Sequence, residues 1–259
     1  MEDLAAIAGV SAITVSRALR NSPLVTEKTR AKVRAIAEEQ GYRLNISARN
    51  LRLRRSYSVA VVVEMTPAKN RPMSDPYPLD LLGGITQELT TAGYSVLLTS
   101  KQLIDTAPVQ SADGMILLGQ GSHGEAVQAL QRTGLPLVVW GAPDAEHPCI
   151  LVGSDNRAGG ASVAAHFLAC GRKQLVFLGD IDHAEIHERY VGFADGLGPL
   201  GKSVRIIAPQ AFTFEAGYDS IAALIDRKEV TFDGVFAASD LLAMGAIRAL
   251  TERQLSVPE

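Results

Sequence analysis

The chain has 259 residues, 47% of them hydrophobic and 20% charged, with a formal net charge of −3. These proportions are ordinary for a soluble α/β protein, and the length suits a small module beside a body of about 200 residues. The longest apolar runs are strand-length, Cys149 and Cys170 form no CxxC pair, and the chain starts in an acidic segment; these features disfavour a membrane span, a disulfide framework, a Cys-based metal site and a signal peptide, and point to the cytoplasm.

The first elements are three short helices. Asp3 to Ala8 predicts a helix, Gly9 a corner with positive φ, and Ser11 a cap for a second helix. Ala5, Ala6, Ala8 and Ala18 are expected to let the two helices approach. A third helix follows, capped by Thr26, with Val33, Ile36 and Ala37 as its buried stripe and Gly41 as its stop. Three helices with such a corner make a helix-turn-helix module whose second helix enters a major groove. On that helix Thr14 and Ser16 suit phosphate oxygens, and Arg17 can fork onto guanine O6 and N7.

Charge agrees with this reading. Met1 to Arg55 carries eleven Lys+Arg against five Asp+Glu, a net of +6, so the rest of a −3 chain carries −9. A basic arm on an acidic body suits phosphate contacts and a salt-dependent affinity for double-stranded DNA. Residues 45–56 extend the arm as a basic linker or hinge helix. Asn45 can cap a short helix there, Ala48 and Arg49 lie on it, and Leu51 is a candidate wedge for a minor-groove step.

The body alternates between two patterns. Ser58–Val63, Tyr94–Leu98, Gly114–Leu118, Leu137–Trp140, Ile150–Val152, Gln174–Leu178, Val204–Ile207 and Gly234–Ala237 read as strands. Amphipathic segments such as Leu79–Ala92, Gly124–Thr133, Gly159–Ala169, Ala216–Asp226 and Asp240–Arg253 read as the helices between them. That alternation predicts parallel sheets covered on both faces, with ligands beyond the carboxyl ends of the strands. Trp140 closes one strand at a plausible pocket edge. Gly196-Leu-Gly198-Pro-Leu-Gly201 spells GxGxxG but follows a helix and precedes a strand, the reverse of a dinucleotide site, and reads as a stop and turn. His183 and His187 have the i, i+4 spacing of metal ligands, yet no third ligand accompanies them. No metal, cofactor or catalytic constellation is expected.

The segments DLAAIAGVSAITVSRAL, VTEKTRAKVRAIAEEQGYRLN and SARNL resemble the headpiece and hinge of the LacI/GalR family of bacterial transcriptional regulators. DPYPLDLLGGI, AGYSVLL, ADGMILL, GLPLVVW, VGSDNRAGG, FEAGY and FAASDLLAMGAIRAL resemble segments of the same family in its order. The resemblance implies an all-α helix-turn-helix headpiece plus an α/β body of two parallel-sheet lobes, similar to periplasmic binding proteins. The corresponding boundaries are 1–44 for the headpiece, 45–56 for the hinge, 57–152 for the first lobe and 153–259 for the second. It also implies that Ser11, Ala12, Ile13, Thr14, Ser16 and Arg17 face DNA, with Ala12 and Ile13 at the operator-choosing positions. By the same resemblance Tyr77, Arg189 and Asp240, and less securely matched His183 and Phe212, line a pocket for a small carbohydrate-type effector.

Three features depart from the family pattern. Only twelve residues separate Ser100 from Asp113, where the family has a full helix, so the first lobe is expected to be trimmed there. Thr66–Ser74 reads as a longer loop. At Val257-Pro258-Glu259, where the family continues with another strand, the second lobe is expected to be incomplete. The function implied is a homodimeric, effector-controlled repressor that is not an enzyme. An effector-blind DNA binder, a solute-binding module and an enzyme with a regulatory headpiece stay open as alternatives.

Overall fold

The computed structural model describes residues 1–42, 55–63, 76–120, 125–143, 148–227 and 231–258. The chain divides into two compact units, Met1–Ser56 and Tyr57–Glu259.

The first unit holds α1 (Glu2–Ala8), α2 (Ala12–Leu19) and α3 (Glu27–Glu39). Glu2 and Asp3 lie in the first turn of α1, where acidic side chains complement the helix dipole. Gly9 ends α1 at φ 65°, and the Val10 N–H returns to the Ala5 carbonyl at 3.1 Å, the bond pattern of a left-handed C-terminal cap. Ser11 and Thr26 cap α2 and α3 as expected, accepting from the Thr14 and Thr29 N–H groups at 3.2 and 3.4 Å. Leu4, Ala5, Ala8, Val15, Ala18, Val25, Val33 and Ala37 form the core. Ala6 is exposed, so of the four alanines expected between the helices only three are there. Two of the basic residues brace the unit itself. Arg30 donates to the Ser22 and Val25 carbonyls and pairs with Glu27, while Arg34 donates to Asn21.

The second unit carries the expected two parallel sheets. Strands β1 (Ser58–Val63), β2 (Ser95–Thr99), β3 (Gly114–Leu118), β4 (Leu137–Trp140) and β5 (Ile150–Val152) run in the order β2-β1-β3-β4-β5. Strands β6 (Leu175–Leu178), β7 (Arg205–Ile207) and β8 (Gly234–Ala237) form a second sheet in the order β7-β6-β8. Every pairing is parallel. The helices are α4 (Pro76–Thr91), α5 (Ala107–Gln110), α6 (Glu125–Gln131), α7 (Asn156–Ala169), α8 (Ala184–Leu197), α9 (Phe214–Asp226) and α10 (Asp240–Glu252).

Strand β6 explains why its sequence is an unbroken apolar run. All four of its residues are buried. Val176 and Leu178 join Ile221, Leu224 and Leu242 on one face, while Leu175 and Phe177 join Ile186, Phe193 and Leu197 on the other. A strand covered on both sides has no polar alternation to show. In the first sheet the short crossover between β2 and β3 is a 3-10 turn at Lys101–Leu103 followed by the single turn α5. Ile104, Val109 and Ala112 are nevertheless buried in its core with Met115, Leu117 and Val139. That turn shares the face with α6, whose Ala126, Val127 and Leu130 are buried in the same core.

Three helices begin earlier than their apolar periodicity indicates. Asp155 caps α7 by accepting from the Ala158 N–H at 2.8 Å, and Thr213 caps α9 through the Ala216 N–H at 3.1 Å. The first turns of these helices are recruited by caps. Helix α4 begins at Pro76, before the expected Leu79, and proline is favoured at a helix start because it lacks an N–H.

Candidate functional site

In the helical unit, α2 presents one face outward. Ile13 is 64% exposed and Arg17 is exposed beside it. Ser16 is half-buried and its carbonyl accepts from Arg20 Nε at 2.9 Å. Ser11 and Thr14 bond each other through their hydroxyls at 2.9 Å, which locks the start of the helix. Ala12 packs against the headpiece core, so of the two apolar residues at positions 12 and 13, Ile13 is the one that stands clear of it. Asn45, Ala48, Arg49 and Leu51 lie outside the described residues.

In the α/β unit, a cavity of about 590 Å³ lies at the carboxyl ends of the strands and is lined from both sheets. That is a usual size for a small-molecule site. All five of the expected pocket residues, Tyr77, His183, Arg189, Phe212 and Asp240, line it. They come from α4, the turn before α8, α8 itself, the turn before α9 and the first turn of α10.

The first-sheet wall is aromatic. Trp140, the last residue of β4, donates from Nε1 to the Tyr77 hydroxyl oxygen at 2.8 Å, tying β4 to α4. On the other wall the His183 ring meets Phe212 edge to face, with centroids 5.1 Å apart, and its Nε2 lies 3.6 Å from an Asp180 carboxylate oxygen. Flat rings that also carry polar tips suit a ligand with one apolar face and a polar edge.

Arg189 is the one Lys or Arg among the described lining residues, and its neighbours were not legible in the sequence. Its Nε donates to Asn156 Oδ1 at 2.8 Å and its Nη1 to the Ala238 carbonyl at 2.6 Å. Asn156 is 7% exposed and donates in turn to the Ser154 carbonyl at 3.2 Å. Both acceptors are neutral, so the guanidinium is aimed without being neutralised. The carboxylates of Asp155, Glu185 and Asp240 share the lining, each in or beside the first turn of a helix, where the dipole favours a negative charge.

Close helix packing sets the position of Arg189. A Cβ at Gly160 of α7 would collide with the Arg189 carbonyl oxygen and come within 2.8 Å of the Phe193 N. A Cβ at Gly192 of α8 would come within 2.7 Å of the Arg157 carbonyl carbon. Each glycine therefore receives the other helix's backbone. The SDNRAGG segment supplies the α7 cap, the Arg189 partner and the contact glycine in seven residues. Their pairing with α8 is tertiary, which is why no local pattern announces it. Among the described residues no group of three or more His, Cys, Asp or Glu side chains is placed to hold a metal ion, and no helix is long and apolar enough to cross a membrane.

Residues 1–45 match the model for bacterial regulatory proteins of the lacI family. Residues 63–259 match the model for periplasmic binding proteins and the sugar binding domain of the LacI family. The HTH-type transcriptional regulator CelR of Thermobifida fusca is 31% identical over 271 residues, covering 100% of this chain and 79% of the relative. The transcriptional repressor CytR of Escherichia coli is 30% identical over 272 residues, with 100% and 77% covered. Among solved structures, a CelR–cellobiose complex aligns with a TM-score of 0.67 at 28% identity over 98% of this chain and 78% of that one. The lac repressor dimer bound to operator and the anti-inducer ONPF aligns with a TM-score of 0.80 over 98% and 78%. At 22% identity the latter is a likeness of fold.

Proposed function

The chain belongs to the LacI family of bacterial regulatory proteins, and from that premise we infer a sequence-specific DNA-binding repressor whose operator affinity is set by a small effector held in the cleft. The observation that carries this reading is the cleft itself. Its polar groups converge from both sheets, and Arg189 is oriented by two neutral acceptors, Asn156 and the Ala238 carbonyl, that do not offset its charge. Ligand hydroxyls can accept from that guanidinium and donate to Asp240 or Asp155. The rings of Tyr77, Trp140 and Phe212 offer apolar faces between them.

A carbohydrate-type effector fits this inventory, and a relative in complex with cellobiose supports the class. On the DNA side, Arg17 reads a base edge, Ile13 meets a thymine methyl, and Ser16 and Thr14 contact phosphates. The functional unit is a homodimer, as in the operator-bound relative, and two headpieces then read two half-sites. The relatives are regulators rather than enzymes, which supports binding without turnover. A DNA partner places the protein in the cytoplasm.

Effector and operator are coupled through their different affinities for two arrangements of the protein. Fluorescence anisotropy on labelled duplexes tests both halves. The affinity should fall with salt at a log–log slope of roughly −4 to −8 for a dimer neutralising several phosphates per headpiece. A sugar that binds the cleft should change that affinity about 5- to 150-fold. A slope near zero removes DNA binding from the reading, and unchanged affinity at saturating sugar removes effector control.

A further inference from the structure

Gln120 follows the carboxyl end of β3 and is only 2% exposed, yet it lines the cavity. Its Oε1 accepts from the buried Ala142 N–H at 2.7 Å. That bond fixes the amide's orientation, because the reverse arrangement would set two N–H donors against each other. The sheet leads directly into this contact. The Gly119 N–H donates to the Trp140 carbonyl at 3.1 Å, and the Gly141 N–H to the Val152 carbonyl at 3.0 Å. The next donor along, on Ala142, is met by a side chain instead of a strand.

The other end of the amide has no such partner. Gln120 Nε2 is buried with no hydrogen-bond acceptor among the described residues. Buried polar groups are nearly always paired, and an orphan in a native interior requires a reason. The fold makes room for this one. A Cβ at Gly141 would lie 2.5 Å from Gln120 Cδ, so the glycine is what admits the amide. Gly119 and Gly141 both line the cavity beside it. Neither has a side chain to stand between the amide and a bound molecule.

We propose that Gln120 is a ligand-reading residue of the first lobe, whose Nε2 donates to an oxygen or nitrogen acceptor of the effector and so selects molecules that carry an acceptor at that end. The inference rests on the effector reading of the cleft. Among the described lining residues the charged groups, Arg189 with Asp155, Glu185 and Asp240, belong to the second-sheet side, whereas Gln120 offers a neutral donor. The matching ligand places an acceptor such as a hydroxyl, ring oxygen or carbonyl where it meets β3 and β4. An analogue with hydrogen at that place leaves Nε2 unpaired, and sites built around a hydrogen bond reject such analogues strongly.

Gln120→Glu separates this role from a structural one. It keeps an oxygen for the Ala142 N–H, while the introduced carboxyl donates to a ligand only when protonated. Gln120→Met removes donor and acceptor at similar volume. Full-length wild type and both variants are titrated by calorimetry with cellobiose, maltose, lactose and the four ribonucleosides, at about pH 5.5 and about pH 8, a window in which a buried carboxyl titrates. Panel members that bind wild type should bind Q120M roughly tenfold or more weakly at both pH values. The Q120E-to-wild-type affinity ratio should drop about tenfold from the lower pH to the higher. A Q120E ratio that stays constant across pH, or Q120M affinity within about twofold of wild type, overturns the role of Gln120 and leaves the cleft as an effector site. A wild type that binds no panel member overturns the effector reading, and this inference with it.

Discussion

Gly159 and Gly160 are adjacent in one helix, and alanine at the two positions should move stability in opposite directions. At Gly160 a Cβ would come within 2.8 Å of the Phe193 N, whereas ordinary contact begins at 3.4 Å. Helix α8 must therefore retreat by at least about 0.6 Å, in an interior that is close-packed and yields little. Overpacking of this kind costs about 1–3 kcal/mol, which for a unit of about 200 residues lowers Tm by roughly 2–12 °C. The retreat also carries Arg189 away from its holders. Bonds of 2.6 and 2.8 Å to Ala238 and Asn156, each lengthened by about 0.6 Å, reach the outer limit of hydrogen bonding. Effector affinity should fall along with stability. A Cβ at Gly159 meets nothing within 4 Å. There alanine should raise stability by about 0.4–1 kcal/mol, through helix propensity and a less flexible unfolded chain. Thermal melts followed by circular dichroism, with calorimetry on a bound sugar, read both effects. Gly160→Ala melting at or above Gly159→Ala would refute the close α7–α8 contact and the account of how Arg189 is placed.

Asn156→Asp turns a neutral holder of Arg189 into an ionic one; affinity for an uncharged sugar should fall about three- to tenfold by calorimetry, and unchanged affinity would show that the guanidinium is not aimed at the ligand. Arg17→Ala should cost about 1–3 kcal/mol at one symmetric pair of base positions and little on non-specific DNA, measured by anisotropy on duplexes substituted at each position. Asp226 is held below the ordinary carboxylate range chiefly by the hydrogen bond from Arg253, and Glu252 by hydrogen bonds from Tyr218 and then Arg248. Their stabilisation is complete above the ordinary carboxyl pKa of about 4 and is lost as pH falls through the lowered values. Asp226→Asn should therefore melt slightly below wild type near neutrality, with the gap closing in acid; an unchanged gap across that range would detach the pairing from stability.

What the sequence made legible was whatever physics writes locally. Caps announced themselves at Ser11 and Thr26, since a hydroxyl three residues ahead of an orphan N–H is a pattern within one turn. The strands were readable because burial on both faces leaves a run such as Leu175–Leu178 with no polar interruption. The same two-sided burial hides orientation, so nothing in that run reveals that Phe177 faces α8 while Val176 faces α9 and α10. Tyr77, His183, Arg189, Phe212 and Asp240 were assigned through family resemblance, because segments separated by up to 163 positions in the chain share no spacing rule that would bring them together.

Asn156, Ala238, Gln120 and Gly141 escaped for a related reason. Each matters through a partner in another element: an arginine 33 positions on, a strand end 49 positions beyond that, and a loop N–H 22 positions away. Asparagine at the start of a helix and glutamine at the end of a strand are ordinary choices when read alone. Their significance lies in what charge they withhold. A carboxylate at position 156 would pair with Arg189 and offset the charge it offers a ligand, beside Asp155, Glu185 and Asp240, whose carboxylates can only accept hydrogen bonds. The amide orients the guanidinium without offsetting its charge, so the second-sheet side both donates and accepts. A ligand whose hydroxyls each do both can then satisfy the whole wall at once, and that requirement narrows the effector more than cavity volume does.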